Sequence, residues 1–395
     1  MKISLKTKSG LLNYVLVGVL LLLPVGCGSG SDNNTAAAPM RDSCVLIDND
    51  YDIDDMMAIP LVIGNKYVAA IVQSEGYTLP EQSAPAIDEL VNNLADQPDA
   101  RKIPIIVGAK QTPSPDLNKW PWLSFFRAMM NQSNALLASV PTPWQADSSY
   151  TQKVVNSVAN CKKVSVLIIG TYTSFVNYST LIRDKIDQVV IMGQAIGDSS
   201  RSPGRESFNC NYDLPACQTA MTQLQGLNTY FVDIPRDADV GGKDICTNTL
   251  TPSPNCYNPS YEMVAGGSGS TGLFSAGLAG RLKQALMNPI NCNSKFTAGM
   301  PNMPNVPESQ CSGLSTWVPA NVSAGPGGEM LLWDETAALF MLHPEQFSLY
   351  YPPNDPNIGG KHYEPNLVNG SYADTAAQLR KLWTEDTNRA ALPRN

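Results

Sequence analysis

The sequence predicts an α/β protein with a mostly parallel, Rossmann-like sheet flanked by helices. Short apolar, β-branched segments alternate with longer helical segments, and each strand candidate is followed by a turn and then a helix. This order favours right-handed βαβ crossovers. The predicted strands are residues 45–47, 68–72, 103–107, 164–169, 188–192 and 229–232, and the predicted helices are residues 82–94, 150–159, 213–224, 271–287 and 334–342.

Two segments interrupt this alternation. Residues 111–149 are rich in proline and aromatic side chains, and residues 241–328 are rich in Gly, Pro and Asn and carry four cysteines. We predict that both are long insertions in one domain, with disulfides stapling the chain where it would otherwise be flexible. An aromatic group in the first insertion is either a lid over a binding site or part of the core of the insertion: Trp120, Trp122, Phe125 and Phe126.

The N-terminus resembles a bacterial lipoprotein signal. A lysine-containing start precedes an apolar stretch, residues 11–25, that is too short to span a bilayer comfortably. The stretch leads to Cys27, the residue that such a signal lipidates, although Pro24 departs from the usual pattern; an ordinary secretory signal is the alternative. The predicted organisation is a signal segment (1–27), a flexible linker (28–41) and one domain (42–395) in a protein exported to the bacterial cell envelope, either periplasmic or membrane-anchored.

The remaining eight cysteines indicate disulfides, because export places them in an oxidising compartment. Eight cysteines allow 105 pairings, and several could instead be buried free thiols. Cys44 and Cys161 each precede a predicted strand, so they can bridge two neighbouring strands. Local pairing predicts the other bridges as Cys210–Cys217, Cys246–Cys256 and Cys292–Cys311.

Charge and histidine content exclude some function classes. The formal net charge of −8 argues against a nucleic-acid partner, which would need a basic surface. Only two histidines are present, which argues against a His-based zinc site or triad. We interpret His343 as structural and assign no role to His362. The sequence does not predict the oligomeric state and leaves a homo-oligomer open.

Residues 48–55 place five acids within eight residues, directly after a predicted strand and before a helix. Two carboxylates about 4 Å apart repel by roughly 4 kcal/mol at an effective dielectric constant near 20. No Lys or Arg lies in the segment, so a bound divalent cation is the simplest explanation, with Ca2+ or Mg2+ favoured by hard oxygen ligands. Two alternatives remain: helix-capping acids that face water, or a Mg2+-dependent phosphatase of the haloacid dehalogenase type built on Asp48 and Asp50.

The same segment resembles the start of the inosine-uridine-preferring nucleoside hydrolase family, Asp-x-Asp-Pro-Gly-x-Asp-Asp-Ala. Asp48, Asp50, Asp54 and Asp55 match, whereas Tyr51-Asp52 replaces the family's Pro-Gly. Five further segments resemble family motifs in the same order: residues 103–109, 167–174, 190–193, 206–213 (with one residue inserted) and 333–338.

The resemblance implies a nucleoside hydrolase fold and a Ca2+-dependent N-ribosyl hydrolase that splits ribonucleosides into base and ribose. It makes Asp50 both a metal ligand and the general base for a metal-bound water that attacks C1′ through an oxocarbenium-like state. The other implied ligands are Asp55, Asp334 and the main-chain carbonyl of Ile169. The implied substrate-binding residues are Asp54, Asn209, Glu206 and Trp333.

Three departures leave a second function open. Trp333 replaces a family His that can protonate a purine, and an indole N–H cannot serve as an acid at neutral pH. The Asn of a family Gly-Asn turn is absent from residues 74–77, and Asp52 is additional. The alternative is therefore a non-catalytic or altered-specificity relative that keeps the metal and binds a sugar or nucleoside. In either case the partner is a small molecule, and a membrane is contacted only through a lipid on Cys27.

Overall fold

A computed structural model describes residues 40–92, 101–116, 118–119, 123, 127, 130, 143–193, 208–232, 334–350, 361–366, 368–370 and 372–389. All of them belong to one compact unit, residues 39–395. Within these ranges, no helix is long and apolar enough to span a membrane.

An eight-stranded sheet forms the centre of the domain, in the order β3-β2-β1-β4-β5-β6-β8-β7. All neighbouring strands are parallel except β7 and β8, which are antiparallel. The strands are β1 (Arg41–Asn49), β2 (Val68–Gln73), β3 (Ile105–Val107), β4 (Cys161–Ile168), β5 (Ile186–Met192), β6 (Thr229–Val232), β7 (Phe347–Tyr350) and β8 (Lys361–Pro365). The predicted mostly parallel α/β class is confirmed.

The helices are α1 (Ile53–Asn65), α2 (Pro80–Asn92), α3 (Tyr150–Ser157), α4 (Phe175–Tyr178), α5 (Phe208–Tyr212), α6 (Leu214–Leu224), α7 (Asp334–Leu342) and α8 (Tyr372–Arg389). All six predicted strands are present, and β1 begins at Arg41, within the segment predicted as linker. The predicted helix 271–287 lies outside the described residues. Strands β7 and β8 and helix α8 were not predicted.

Alternating residues of the strands bury side chains on both faces of the sheet. In β1, Val45 and Ile47 join one core cluster, and Cys44 and Leu46 join the other. The first cluster includes residues of α1, α2, α7 and α8, and the second includes residues of α3, α4 and α6. Both faces of the sheet are therefore covered, as its apolar strands predict.

Helix α1 is buried because α7 and α8 pack against it. Trp383 of α8 is 1% exposed and its indole N–H donates to the Met57 carbonyl at 3.3 Å. His343, after α7, contacts buried Asp386 of α8 at 2.6 Å, in keeping with its predicted structural role. His362 is buried and stacks on Phe231. The C-terminal helices thus hold the helix that follows the acidic segment.

Two predicted disulfides are present. Cys44–Cys161 joins the adjacent strands β1 and β4 and closes a sequence separation of 117 residues. Cys210–Cys217 joins α5 to α6 across seven residues. The predicted pairs Cys246–Cys256 and Cys292–Cys311 lie outside the described residues.

The long-range disulfide should stabilise the domain more than the local one. Loop-closure entropy gives about 5 kcal/mol for a loop of this length and about 2.5 kcal/mol for the short loop. We expect the Cys44→Ala/Cys161→Ala variant to lose more free energy of unfolding than the Cys210→Ala/Cys217→Ala variant, measured by urea denaturation. Equal losses would contradict this entropic explanation.

Candidate active site

The acidic segment lies at the carboxyl ends of the parallel strands, where ligands bind in open α/β sheets. Asp48 and Asn49 end β1, and Asp50 is the first residue beyond it. The end of β4 lies against this turn: a Cβ on Gly170 would lie 2.5 Å from the Asn49 carbonyl carbon and the Asp50 nitrogen. Glycine is therefore required at position 170 to bring the two strand ends together.

The turn between β1 and α1 has a backbone that the family's Pro-Gly pair would not adopt. Tyr51 has φ of +55°, in the left-handed region, whereas proline is fixed near −65°. Asp52 is the N-cap of α1 and accepts a hydrogen bond from the Asp54 N–H at 3.0 Å. Asp55 in turn accepts from the Asp52 N–H at 2.8 Å, which completes a capping box. Two of the acids therefore have a helix-capping function.

The structure brings acids from the two ends of the domain together. One carboxylate oxygen from each of Asp52, Asp54 and Asp334 lies within 4.8 Å of the other two. The Asp334 N–H, at the start of α7, donates to Asp54 Oδ2 at 3.3 Å. Asp55 lies close enough to Asp50 and Asp334 for their charges to act on one another. Of the predicted ligands, Asp334 therefore belongs to the compact Asp52–Asp54–Asp334 group, and Asp50 and Asp55 adjoin it.

Burial and mutual repulsion act together on these carboxyls. Burial raises the pKa of Asp50 to about 7, with Asp54 as an additional cause. Burial, followed by neighbouring carboxylates, raises the pKa of Asp55 and of Asp334 well above the usual range. Both helix N-termini favour negative charge, but this effect is worth only about 0.3–1 kcal/mol per group at the surface and about 2 kcal/mol at most. It does not offset a repulsion of roughly 4 kcal/mol per close pair.

Two buried oxygens support a cation in this position. Within the described ranges, Asp55 Oδ1 and Asp334 Oδ1 have no hydrogen-bond partner. Buried polar atoms are nearly always satisfied, so orphaned acceptors in a carboxylate cluster indicate a missing positive group. Carboxylate and carbonyl oxygens are the donors that Ca2+ and Mg2+ prefer. These residues therefore fit a divalent cation.

The predicted carbonyl ligand and a predicted sugar-binding residue contact each other. Asn209 of α5 donates from Nδ2 to the Ile169 carbonyl at 3.1 Å, and both residues are buried. The Ile169 N–H donates to the Asp48 carbonyl at 2.8 Å, so Ile169 adjoins the acidic turn. A carbonyl oxygen has a second lone pair, so this contact is compatible with metal binding.

Asp48 differs from the other acids because hydroxyl groups donate hydrogen bonds to both of its carboxylate oxygens. Its Oδ1 accepts from the Ser74 hydroxyl at 2.6 Å and its Oδ2 accepts from the Tyr178 hydroxyl at 2.9 Å. Its side chain is fully buried, which raises its pKa to about 7. A phosphatase nucleophile must reach a phosphorus atom, so this environment argues against Asp48 in that role.

The turn after β2, which includes residues 74–77, contributes to the site residues to which the sequence assigned no role. The Tyr77 N–H donates to Asp50 Oδ2 at 2.8 Å, and a Cβ on Gly76 would lie 2.0 Å from the same oxygen. The preceding Glu75 is held by Tyr212 at 2.9 Å and by Arg127 at 3.4 Å. The signal for this turn was the motif resemblance, in which residues 74–77 stand in place of a Gly-Asn turn. Glu206, Trp333, Trp120, Trp122, Phe125 and Phe126 lie outside the described residues.

Comparison with known proteins gives similarity in structure alone. The chain shares its fold with the effector protein XOO4466, with a TM-score of 0.52 and 14% identity over 90% of this chain and 94% of that chain. An inosine-uridine preferring nucleoside hydrolase from Bacillus anthracis aligns with a TM-score of 0.49 and 13% identity over 86% and 99% of the two chains. A purine-preferring ribonucleoside hydrolase from Gardnerella vaginalis gives 0.49 and 13% over 88% and 99%. At this level of similarity, none of the three assigns an activity to this chain.

No protein-family model and no curated protein sequence matches the chain.

Without divalent ions, stability should fall as the pH rises. Asp48 and Asp50 have pKa values of about 7 in the folded protein and about 4 when unfolded, so the folded state binds more protons between these values. The contribution of these groups to the free energy of unfolding is fully present below pH 4 and is lost as the pH rises through 7. The loss is on the order of 4 kcal/mol for each carboxyl without a compensating cation. We expect the Tm in chelator to fall from pH 5 to pH 8, with Ca2+ raising it more at pH 8. A rising Tm in chelator would contradict the raised pKa values.

Proposed function

We propose that this protein is a Ca2+-dependent hydrolase that cleaves the N-glycosidic bond of ribonucleosides. The observation that carries the proposal is the convergence of Asp334 with the acids of residues 50–55, across about 280 residues of sequence. Six ordered motif resemblances link the same acids to nucleoside hydrolases. The shared fold with XOO4466 supports the architecture and leaves the activity to experiment.

In this proposal Asp50, Asp55, Asp334 and the Ile169 carbonyl hold Ca2+, and Asp52 is a further candidate ligand. When bound, the ion supplies a Lewis acid that increases the acidity of a water molecule and attracts sugar hydroxyls. Ca2+ is preferred over Mg2+ because its coordination number and geometry tolerate several carboxylates and a carbonyl.

Asp50 acts as the general base. The Tyr77 N–H fixes Asp50 Oδ2, and Gly76 gives this oxygen the space it occupies. As the water oxygen bonds to C1′, the water proton passes to Asp50. At the same time the C–N bond breaks, and the electron pair of that bond leaves with the nucleobase. The products are ribose and the free base.

Asp54 and Asn209 bind ribose hydroxyls in this scheme. Asp54 lies in the first turn of α1, and Asn209 of α5 lies beside Ile169. The two side chains therefore approach the proposed ion from different helices. Glu206 and Trp333 remain proposed substrate contacts from the motif resemblance. The proton donor for the leaving base is open, because Trp333 has no acidic proton at neutral pH.

A second proposal is a relative that binds a sugar or nucleoside without hydrolysing it. Trp333 in place of a family His and the altered Tyr51-Asp52 turn favour this alternative. Reducing-sugar release from inosine, uridine and p-nitrophenyl riboside distinguishes the two, because the nitrophenyl group departs without a proton donor. Cleavage of phosphate esters alone would instead favour the Mg2+ phosphatase.

Export and lipidation of Cys27 remain proposals. The two disulfides of the described domain support an oxidising compartment. Mass spectrometry of membrane fractions, with Cys27→Ser as the control, would show whether a lipid is attached.

Replacing Asp50 with Asn should abolish most riboside hydrolysis and preserve the fold, because the side chain keeps its shape and loses its basicity. We expect kcat for p-nitrophenyl riboside to fall about 10²- to 10⁴-fold. The matched control is Asp184→Asn, an exposed acid outside the site that should leave kcat unchanged. Retained turnover in Asp50→Asn would remove Asp50 from the mechanism.

Replacing Asp52 with Asn separates its two proposed roles. Asn caps helices about as well as Asp, so α1 should remain capped while one negative charge is removed. We expect the Kd for Ca2+, measured by calorimetry, to rise about five- to tenfold. The Tm in chelator should rise, because one charge of the mutually repelling group is removed while the helix cap is kept. An unchanged Kd would leave Asp52 with a capping function only.

A further inference from the structure

The turn after β2 places the Tyr77 side chain beside the acids. Its backbone N–H is committed to Asp50 Oδ2, so the side chain extends from a point fixed against the proposed base. The carboxylates of Asp54, Asp50 and Asp334 act electrostatically on the Tyr77 hydroxyl. A tyrosine hydroxyl can both donate and accept a hydrogen bond.

The Tyr77 ring is held in this place by aromatic packing. Its centroid lies 4.4 Å from that of Phe208 at an interplanar angle of 55°, and Phe208 lies 5.4 Å from Tyr212. Phe208 and Tyr212 are the two ends of α5, which the Cys210–Cys217 disulfide joins to α6. Asn209, the proposed ribose contact, follows Phe208 directly. The ring is thus supported by the element that carries a proposed sugar-binding residue.

We propose that Tyr77 contacts the sugar and contributes to the specificity of the site, an inference that rests on the proposed function. A sugar presents hydroxyl edges and an apolar C–H face. The acids and Asn209 suit the hydroxyl edges, while a partly buried tyrosine ring suits the C–H face and its O–H can donate to a ring or hydroxyl oxygen. Tyr77 stands in the turn where the family that the acidic segment resembles has a Gly-Asn pair.

The competing explanation is that Tyr77 only packs against Phe208. Substitutions of the side chain leave its N–H bond to Asp50 in place, so they test the side chain separately from the base. Tyr77→Phe removes the hydroxyl alone, and Tyr77→Leu removes both hydroxyl and ring. A purely structural role predicts that Tyr77→Phe has no effect on sugar binding.

The test measures kcat and KM for p-nitrophenyl riboside and the calorimetric Kd for ribose in Ca2+. We expect Tyr77→Phe to raise KM and the ribose Kd about three- to tenfold, with kcat changed less than twofold, because a contact made equally in the ground and transition states affects KM. Tyr77→Leu should raise both further, and its effect should be non-additive with that of Phe208→Leu. The Kd for Ca2+ should stay within twofold.

The matched control is Tyr172→Phe. Tyr172 is also buried, but burial is the only cause that raises its pKa, which places its hydroxyl away from the carboxylates. This variant should leave KM and the ribose Kd unchanged.

The outcomes separate this inference from the proposed function. If the wild type hydrolyses the riboside and Tyr77→Phe keeps KM and ribose Kd within twofold, the inference fails and the function stands, whatever the effect of Tyr77→Leu. An altered Kd for Ca2+ with unchanged sugar binding also overturns the inference. If the wild type binds ribose without hydrolysis, the function fails and the ribose Kd of the variants decides the inference. If the wild type does neither, both fail.

Discussion

Repulsion among buried carboxylates is the constraint on which the site depends. Asp50, Asp54, Asp55 and Asp334 are all at most 3% exposed. Burial, and after it the neighbouring carboxylates, raises the pKa of Asp50, Asp55 and Asp334. One close pair costs roughly 4 kcal/mol, a large fraction of the 5–15 kcal/mol by which a domain is stable. Helix dipoles and capping bonds recover only part of this. A bound divalent cation would remove the repulsion and would give the two orphaned oxygens a partner.

The fold is arranged so that these acids cannot separate. Helix α1 starts at the carboxyl end of β1 and packs against α7 and α8. This packing fixes the first turn of α1, which carries Asp54 and Asp55. Helix α7 delivers Asp334 with its own N–H bonded to Asp54. Trp383 of α8 anchors to the Met57 carbonyl, which ties the C-terminal helix to the same element. Core packing therefore supplies the stability that holds an electrostatically unfavourable group together.

Local pattern predicted the sheet well and its far edge poorly. The six predicted strands are short β-branched segments whose side chains are buried on both faces, which is the strongest sequence signal for a parallel strand. β8 contains Lys, His, Glu and Pro, and β7 is a four-residue strand without a β-branched residue, so both lack that signal. Helix α8 was missed although Leu379, Trp383 and Thr387 are buried at four-residue spacing, because its polar residues dominate the composition.

The site was predictable in its acids and less so in its geometry. The acidic segment and Asp334 could be identified because carboxylates after a strand have a clear chemical meaning. The positive φ of Tyr51, which lets Asp52 cap α1 and join the cluster, depends on tertiary packing and has no sequence signature. The motif resemblance located the turn of Gly76 and Tyr77, but the sequence assigned neither residue a role, because their link to Asp50 is a backbone hydrogen bond and a close approach across two strands.

Anomalous diffraction from crystals grown in Ca2+ tests the central claim most directly. The account predicts one strong calcium peak within about 2.3–2.6 Å of oxygens from Asp50, Asp55 and Asp334. A calcium-replete crystal in which these side chains diverge, with no peak between them, would contradict it.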